Sequence, residues 1–150
     1  MARALLDTNV LVSAVYSQSP LHAAARQIVH QGLHERGKYC IAPQILVEFA
    51  AVVSRPRVVA KPMEPDVFLK FVTTLFRSRN LGKLYPKRGT VMRALREGTS
   101  LKLTGPRWYG LFLAATMRDA GVQTLITDNL KDFTNIPWIT AMHISDVPAT

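Results

Sequence analysis

Among the 150 residues there is one cysteine, Cys40, so no internal disulfide can form. With no second cysteine and no local Cys/His cluster, a structural zinc site has no ligand set. Cys40 sits in the strand-like run Tyr39-Cys40-Ile41-Ala42, where a buried, inert thiol is expected. No apolar run reaches the roughly 18–20 residues that span a bilayer, so no membrane segment is expected. Asp7 and Asn9 interrupt the N-terminal apolar stretch, which predicts no secretory leader and a reducing, cytoplasmic setting. Acids are scarce: 10 Asp and Glu stand against 19 Lys and Arg, a formal net charge of +9. The excess is local. From Arg55 to Arg107 there are 13 basic residues and three acids, Glu64, Asp66 and Glu97, while the remainder is nearly neutral. A concentrated positive field favours a polyanion such as nucleic acid, although a solvated basic face or a membrane-surface patch has the same composition.

What is present describes a folded chain. The hydrophobic fraction of 48% and charged fraction of 19% exclude a disordered protein. The length suits a single domain, residues 1–150, with its own core. Apolar spacing predicts a helix from Val10 to Tyr16 and another that starts with Ser19 as cap and Pro20 at its first position, ending near Gly37. His22, His30 and His34 fall on the more polar side of that helix, and without an HExxH pattern the spacing of His30 and His34 reads as a solvated face. Lys38 to Ala42 reads as a strand, Pro43 to Val53 as a helix, and Glu64-Pro65-Asp66 as the start of another. Leu84-Tyr85-Pro86 reads as a short turn or strand. Thr90 to Glu97 reads as a basic helix, with Val91, Met92 and Leu95 inward, Arg93 and Arg96 outward, and Gly98 as its end. Arg107 to Ala120 is the longest apolar helix, with Gly121 behind it, and the strands Val122–Thr127 and Ile139–Ile144 follow. Strands alternating with helices imply an α/β sandwich around a parallel sheet.

Carboxylates recur at informative places. Ala4-Leu5-Leu6 reads as a buried strand running into Asp7, where an acid either caps the next helix or faces the crevice at the carboxyl end of the sheet. Asp128 and Asp132 follow the strand that ends at Ile126-Thr127. Glu48 lies in an apolar helix whose every face near it looks buried, and an unpaired buried carboxylate costs several kcal/mol, so either a basic partner or a metal ion stands beside it or its side chain snorkels to the surface. Parallel strands point their carboxyl ends one way, so these acids can converge. Convergent carboxylates require cations, and oxygen ligands without Cys or His select Mg²⁺ or Mn²⁺. A basic protein with an acidic metal pocket has the logic of a nuclease. A phosphatase of the Asp-x-Asp-x-Thr kind is excluded, because Asn9 stands at the second Asp position.

The set Leu6-Asp7-Thr8-Asn9-Val10, Val47-Glu48-Phe49, Leu113-Ala114-Ala115-Thr116 and Thr127-Asp128-Asn129-Leu130-Lys131-Asp132-Phe133 resembles the PIN domain, and within it the VapC-type ribonuclease toxins of toxin–antitoxin pairs. The likeness runs over essentially the whole chain. It implies a three-layer sandwich with a central parallel sheet, hydrolysis of RNA with Mg²⁺ or Mn²⁺, a cognate antitoxin as partner, and a homodimer. Carried over by position, Asp7 and Glu48 match the first two acids and Asp132 the fourth, with Asp128 and Asn129 as near alternatives. Thr8, Asn9 and Thr127 match small polar residues that orient ligands or water. Arg77, Arg79, Lys87, Arg88, Arg93 and Arg96 are the candidate RNA-binding residues.

One departure stands out. In the family the late helix begins with an aromatic or His residue followed by Asp, whereas here Trp108-Tyr109 is followed by Gly110. Asp119 is no substitute, since about nine residues of helix place it about half a turn out of phase and roughly 13 Å away. Glycine inside a helix costs about 1 kcal/mol relative to alanine, so propensity does not select it. An inactivating substitution, a degenerate relative that keeps its partner, and weak catalysis by three acids with a water all remain open. The expectation is an impaired endoribonuclease toxin; the alternative is an inactive RNA- or partner-binding module on the same fold.

Overall fold

The computed structural model describes residues 3–56 and 61–149. Five short strands, β1 (Ala4–Leu6), β2 (Tyr39–Ile41), β3 (Gly82–Lys83), β4 (Thr124–Thr127) and β5 (Thr140–His143), make one sheet in the order β3-β2-β1-β4-β5. Every neighbouring pair is parallel, and Leu5 at the centre registers with Cys40 on one side and Leu125 on the other. Ala4, Leu5 and Leu6 have no solvent exposure. This is why β1 reads as an unbroken apolar run: a parallel strand with helices over both faces has no polar side. Burial also pushes the Cys40 thiol up to about 12, as an inert thiol requires.

The flanking helices are α1 (Thr8–Val15), α2 (His22–His34), α3 (Pro43–Val53), α4 (Pro65–Arg77), α5 (Thr90–Ser100) and α6 (Arg107–Asp119). None is long and apolar enough to cross a membrane among the described residues. α3 shows how sequence fixes placement. Pro43 occupies the first turn, where its missing N–H has no partner to lose. Ile45, Phe49 and Val53 then follow at helical spacing and are buried. The Phe49 ring packs 5.8 Å from Phe68 and 5.4 Å from Phe71, which seats α3 against α4. Gly121 takes a φ of +70° after α6, the left-handed turn that ends a helix without a Cβ penalty.

The strand order sets the position of the site. The chain leaves β1 toward β2 and β3, then returns to lay β4 and β5 on the other flank. Connections beyond β1 and β4 therefore diverge, opening a crevice at their carboxyl ends.

Three expectations need correction. α2 begins at His22, not Pro20. The Ser19 hydroxyl accepts from the Leu21 N–H, and the Ser19 carbonyl accepts from the His22 N–H, which makes residues 19–22 a turn. β3 is Gly82–Lys83, just before the expected Leu84-Tyr85-Pro86. α5 runs through Gly98 to Ser100 and turns a different face inward: Thr90, Ala94 and Gly98 are buried, while Val91, Met92 and Leu95 are exposed. The cause is close helix approach. A Cβ on Gly98 would stand 2.3 Å from Cζ3 of Trp108, so the Trp108 ring occupies the space that a larger residue needs.

Candidate active site

Asp7 begins where β1 stops. Its backbone N–H donates to the Ile126 carbonyl at 3.0 Å, the last link to β4. Its Oδ1 accepts the Thr8 N–H at 2.7 Å and caps α1. Its Oδ2 accepts from the Thr127 hydroxyl at 2.7 Å and from Asn9 Nδ2 at 3.3 Å. The capping role and the crevice position thus hold together in one side chain. Burial pushes the Asp7 carboxyl above its ordinary value; the bonds from Thr127 and Thr8 pull it back, and the charges of Glu48 and Asp128 push it up again.

Glu48 comes from α3. It is half-buried, and its neighbour Val47 is 70% exposed, so only one side of α3 is covered rather than every face around Glu48. Both carboxylate oxygens have neutral donors: Oε2 accepts from the Thr8 hydroxyl at 3.1 Å and Oε1 from Gln44 Nε2 at 2.7 Å. Gln44 was not singled out from the sequence. Its signal was available, because a residue four positions before Glu48 shares its helix face. The same Nε2 also donates to the Tyr109 carbonyl at 3.1 Å, tying α3 to the first turn of α6.

The end of β4 supplies the third part. The buried Thr127 hydroxyl accepts from Asn9 Nδ2 at 3.0 Å and from the Asn129 N–H at 3.1 Å. The Asp128 N–H donates to Asn9 Oδ1 at 3.1 Å. Asp132 lies in the 3₁₀ turn Leu130–Phe133 and accepts from Asn129 Nδ2 at 2.6 Å. Asp128 and Asp132 are both exposed. The structure therefore brings Glu48 and Asp128 each within electrostatic range of Asp7, and joins Asp132 to the network through Asn129.

Gly110 lies in the first turn of α6, next to Tyr109, whose carbonyl accepts from Gln44. A Cβ there would meet only Phe133 Cε1, at 3.7 Å, so the backbone leaves room for a side chain. Asp119 is committed elsewhere, accepting from the Thr90 hydroxyl and pairing with Arg93. Those bonds hold its carboxyl below the ordinary range, the Thr90 hydroxyl contributing most. Arg77, Arg79, Lys87, Arg88 and Arg96 are exposed, as is Arg93 despite its ion pair. Among the described residues no three carboxylate, imidazole or thiol groups form a ready metal cage. The donors that do gather are all oxygen, the chemistry of Mg²⁺ and Mn²⁺, which keep several waters and need few protein ligands. The set fits such an ion in kind.

The comparisons with known proteins bear on the fold and the family. Residues 3–81 match the PIN domain family. No curated protein sequence matches the chain. Among solved structures, DNA-bound VapBC from Salmonella typhimurium has 19% identity and a TM-score of 0.64, over 96% of this chain and 99% of that one. VapBC2 from Rickettsia felis, bound to a DNA fragment from the promoter, has 18% identity and a TM-score of 0.64, over 94% and 98%. VapC20 from Mycobacterium tuberculosis, a toxin that cleaves the sarcin–ricin loop, has 12% identity and a TM-score of 0.61, over 81% and 86%. At such identities the likeness speaks for the fold, a parallel sheet of PIN type with helices on both faces. The family match takes in β1, the Asp7 turn and the helix bearing Glu48, and on that basis the chain belongs to the PIN-domain family.

Proposed function

We propose that the protein is a metal-dependent endoribonuclease of the toxin kind, acting in the cytoplasm, with its site in the crevice between β1 and β4. The observation that carries this reading is the gathering of carboxylates at Asp7: a half-buried side chain held by Thr127, Asn9 and the Thr8 N–H, with Glu48 and Asp128 adding to the same field. A cation is what relieves such a field. Asp7, Glu48 and a third oxygen donor from Asp128, Asn129 or Asp132 would hold Mg²⁺ or Mn²⁺. An ion bound there supplies an activated water and neutralises charge on the phosphoryl oxygens.

The chain's own residues do the rest. Thr127, Asn9 and the Thr8 N–H fix the Asp7 carboxylate, and Thr8 fixes Glu48. Arg77, Arg79, Lys87, Arg88 and Arg96 hold the phosphate backbone; each contact releases counterions and makes binding salt-dependent. Arg93 contributes less, since Asp119 already engages it. An antitoxin is the proposed protein partner. Several solved relatives are toxin–antitoxin complexes. An apolar groove along α3 and α4, lined by Leu46, Val47, Ala50, Phe68, Val72 and Phe76, suits a partner of that kind. A homodimer is proposed from the family likeness alone.

Gly110 favours a second reading, an inactive module that binds RNA or its partner on a decayed nuclease fold. One experiment separates the two. RNA cleavage is measured for the parent and Gly110→Asp, with Mn²⁺ and with chelator, each beside Asp7→Ala. The nuclease reading expects cleavage by Gly110→Asp, lost with chelator and with Asp7→Ala. Binding without cleavage in every protein supports the module.

A further inference from the structure

Gln44 makes three observations at once. Its Nε2 donates to Glu48 Oε1 at 2.7 Å and to the Tyr109 carbonyl at 3.1 Å. Its Oε1 is buried and has no donor among the described residues. The amide orientation follows from chemistry, because Glu48 Oε1 and the Tyr109 carbonyl both accept and only the NH₂ end satisfies them. Reversing the amide would set three oxygens against one another.

We infer that Gln44 is a positioning residue of the site, locking Glu48 to the first turn of α6 beside the position where Gly110 has no side chain. Its importance for metal binding rests on the reading of Glu48 as a metal-holding carboxylate. The cross-link does what a carboxylate on that turn would otherwise share. It fixes the distance between α3 and α6, and it holds one oxygen of Glu48 while Thr8 holds the other. A glutamate on a one-sided helix beside the 70%-exposed Val47 would otherwise swing among rotamers, and ordering it anew at each binding event costs entropy. The neutral amide does this without adding charge to a field already acting on Asp7.

The test uses the full chain. Gln44→Met keeps the stem and removes the amide. In metal-free ¹⁵N spectra with chelator, the Gln44 side-chain amide pair is expected to exchange slowly in the parent and to lose protection in Glu48→Ala. Melting with increasing Mn²⁺ supplies the second readout. Gln44→Met is expected to raise the half-maximal Mn²⁺ concentration about tenfold, the effect typical of a residue that orients a ligand. Added to Glu48→Ala, it should change that concentration less than about twofold, because residues that act through one another are not additive. An amide pair that exchanges like free glutamine overturns the proposal. So does a Gln44→Met protein that melts earlier yet keeps the parent's Mn²⁺ midpoint, which marks a strut only. A protected amide pair in a parent that ignores Mn²⁺ supports the lock and sinks the metal reading of the site instead.

Discussion

Filling position 110 tests the site from both its structural and its chemical side. Gly110 lies in the first turn of α6, and an added Cβ meets only Phe133 Cε1 at an ordinary 3.7 Å. No strain therefore opposes the usual gain of about 0.5–1 kcal/mol when alanine replaces a helical glycine. At about 2–4 °C per kcal/mol for a domain of this size, Gly110→Ala should melt about 1–4 °C above the parent. Gly110→Asp should fall short of alanine in chelator. Aspartate gives up as much as about 0.7 kcal/mol of propensity, and the helix N-terminus returns about 0.3–1 kcal/mol. Glu48, one glutamine amide away, opposes it. With Mn²⁺ the order should invert. Every tenfold tighter binding adds about 1.4 kcal/mol at saturating metal, which lifts Gly110→Asp above Gly110→Ala, while alanine keeps the parent's Mn²⁺ increment. The assay is thermal melting of the three proteins in chelator and in Mn²⁺. If alanine destabilises by more than about 1 kcal/mol, the position is not open. If aspartate gains no more from Mn²⁺ than alanine does, position 110 does not face the carboxylates.

Two further outcomes follow from the same geometry. Burial raises the Asp7 carboxyl above its ordinary value of 3.8, so its contribution favours folding below that value and is lost as pH rises through the raised one. The melting temperature of metal-free Asp7→Asn minus that of the parent should therefore grow more positive from about pH 3 to pH 7; a flat difference would show that Asp7 is not desolvated. Gly98→Ala places a methyl 2.3 Å from the Trp108 ring, so despite alanine's better propensity it should destabilise by about 1–3 kcal/mol, measured by urea unfolding. A stabilised Gly98→Ala would refute the close α5–α6 contact.

The sheet and the acids at its carboxyl edge were legible because their signals are local. An apolar run into Asp7 and a proline opening α3 each fix a boundary within a few residues. α5 was legible as a helix but not in orientation. Its apolar residues Val91, Met92 and Leu95 suggest a buried face, yet small Thr90, Ala94 and Gly98 pack inward, with Gly98 directly under the Trp108 ring of the next helix. Hydrophobicity ranks residues by transfer energy, whereas burial here was decided by volume. Gln44 escaped for a related reason. Its spacing to Glu48 is visible, but its second acceptor is a backbone carbonyl 65 positions away, and carbonyls leave no mark in a sequence.

The hydrogen bond from Thr127 to Asp7 closes over 120 residues. Its timing follows from that separation. Chains grow from the N-terminus at about 5–20 residues per second, so Asp7 emerges with β1 and waits through 120 further residues for its partner. Loops that long close late, after nearer contacts have formed. Until β4 docks, the first strand carries its acid without the hydroxyl that orients it. A chain without β4 thus holds an unassembled site, and the arrival of Thr127 is what completes it.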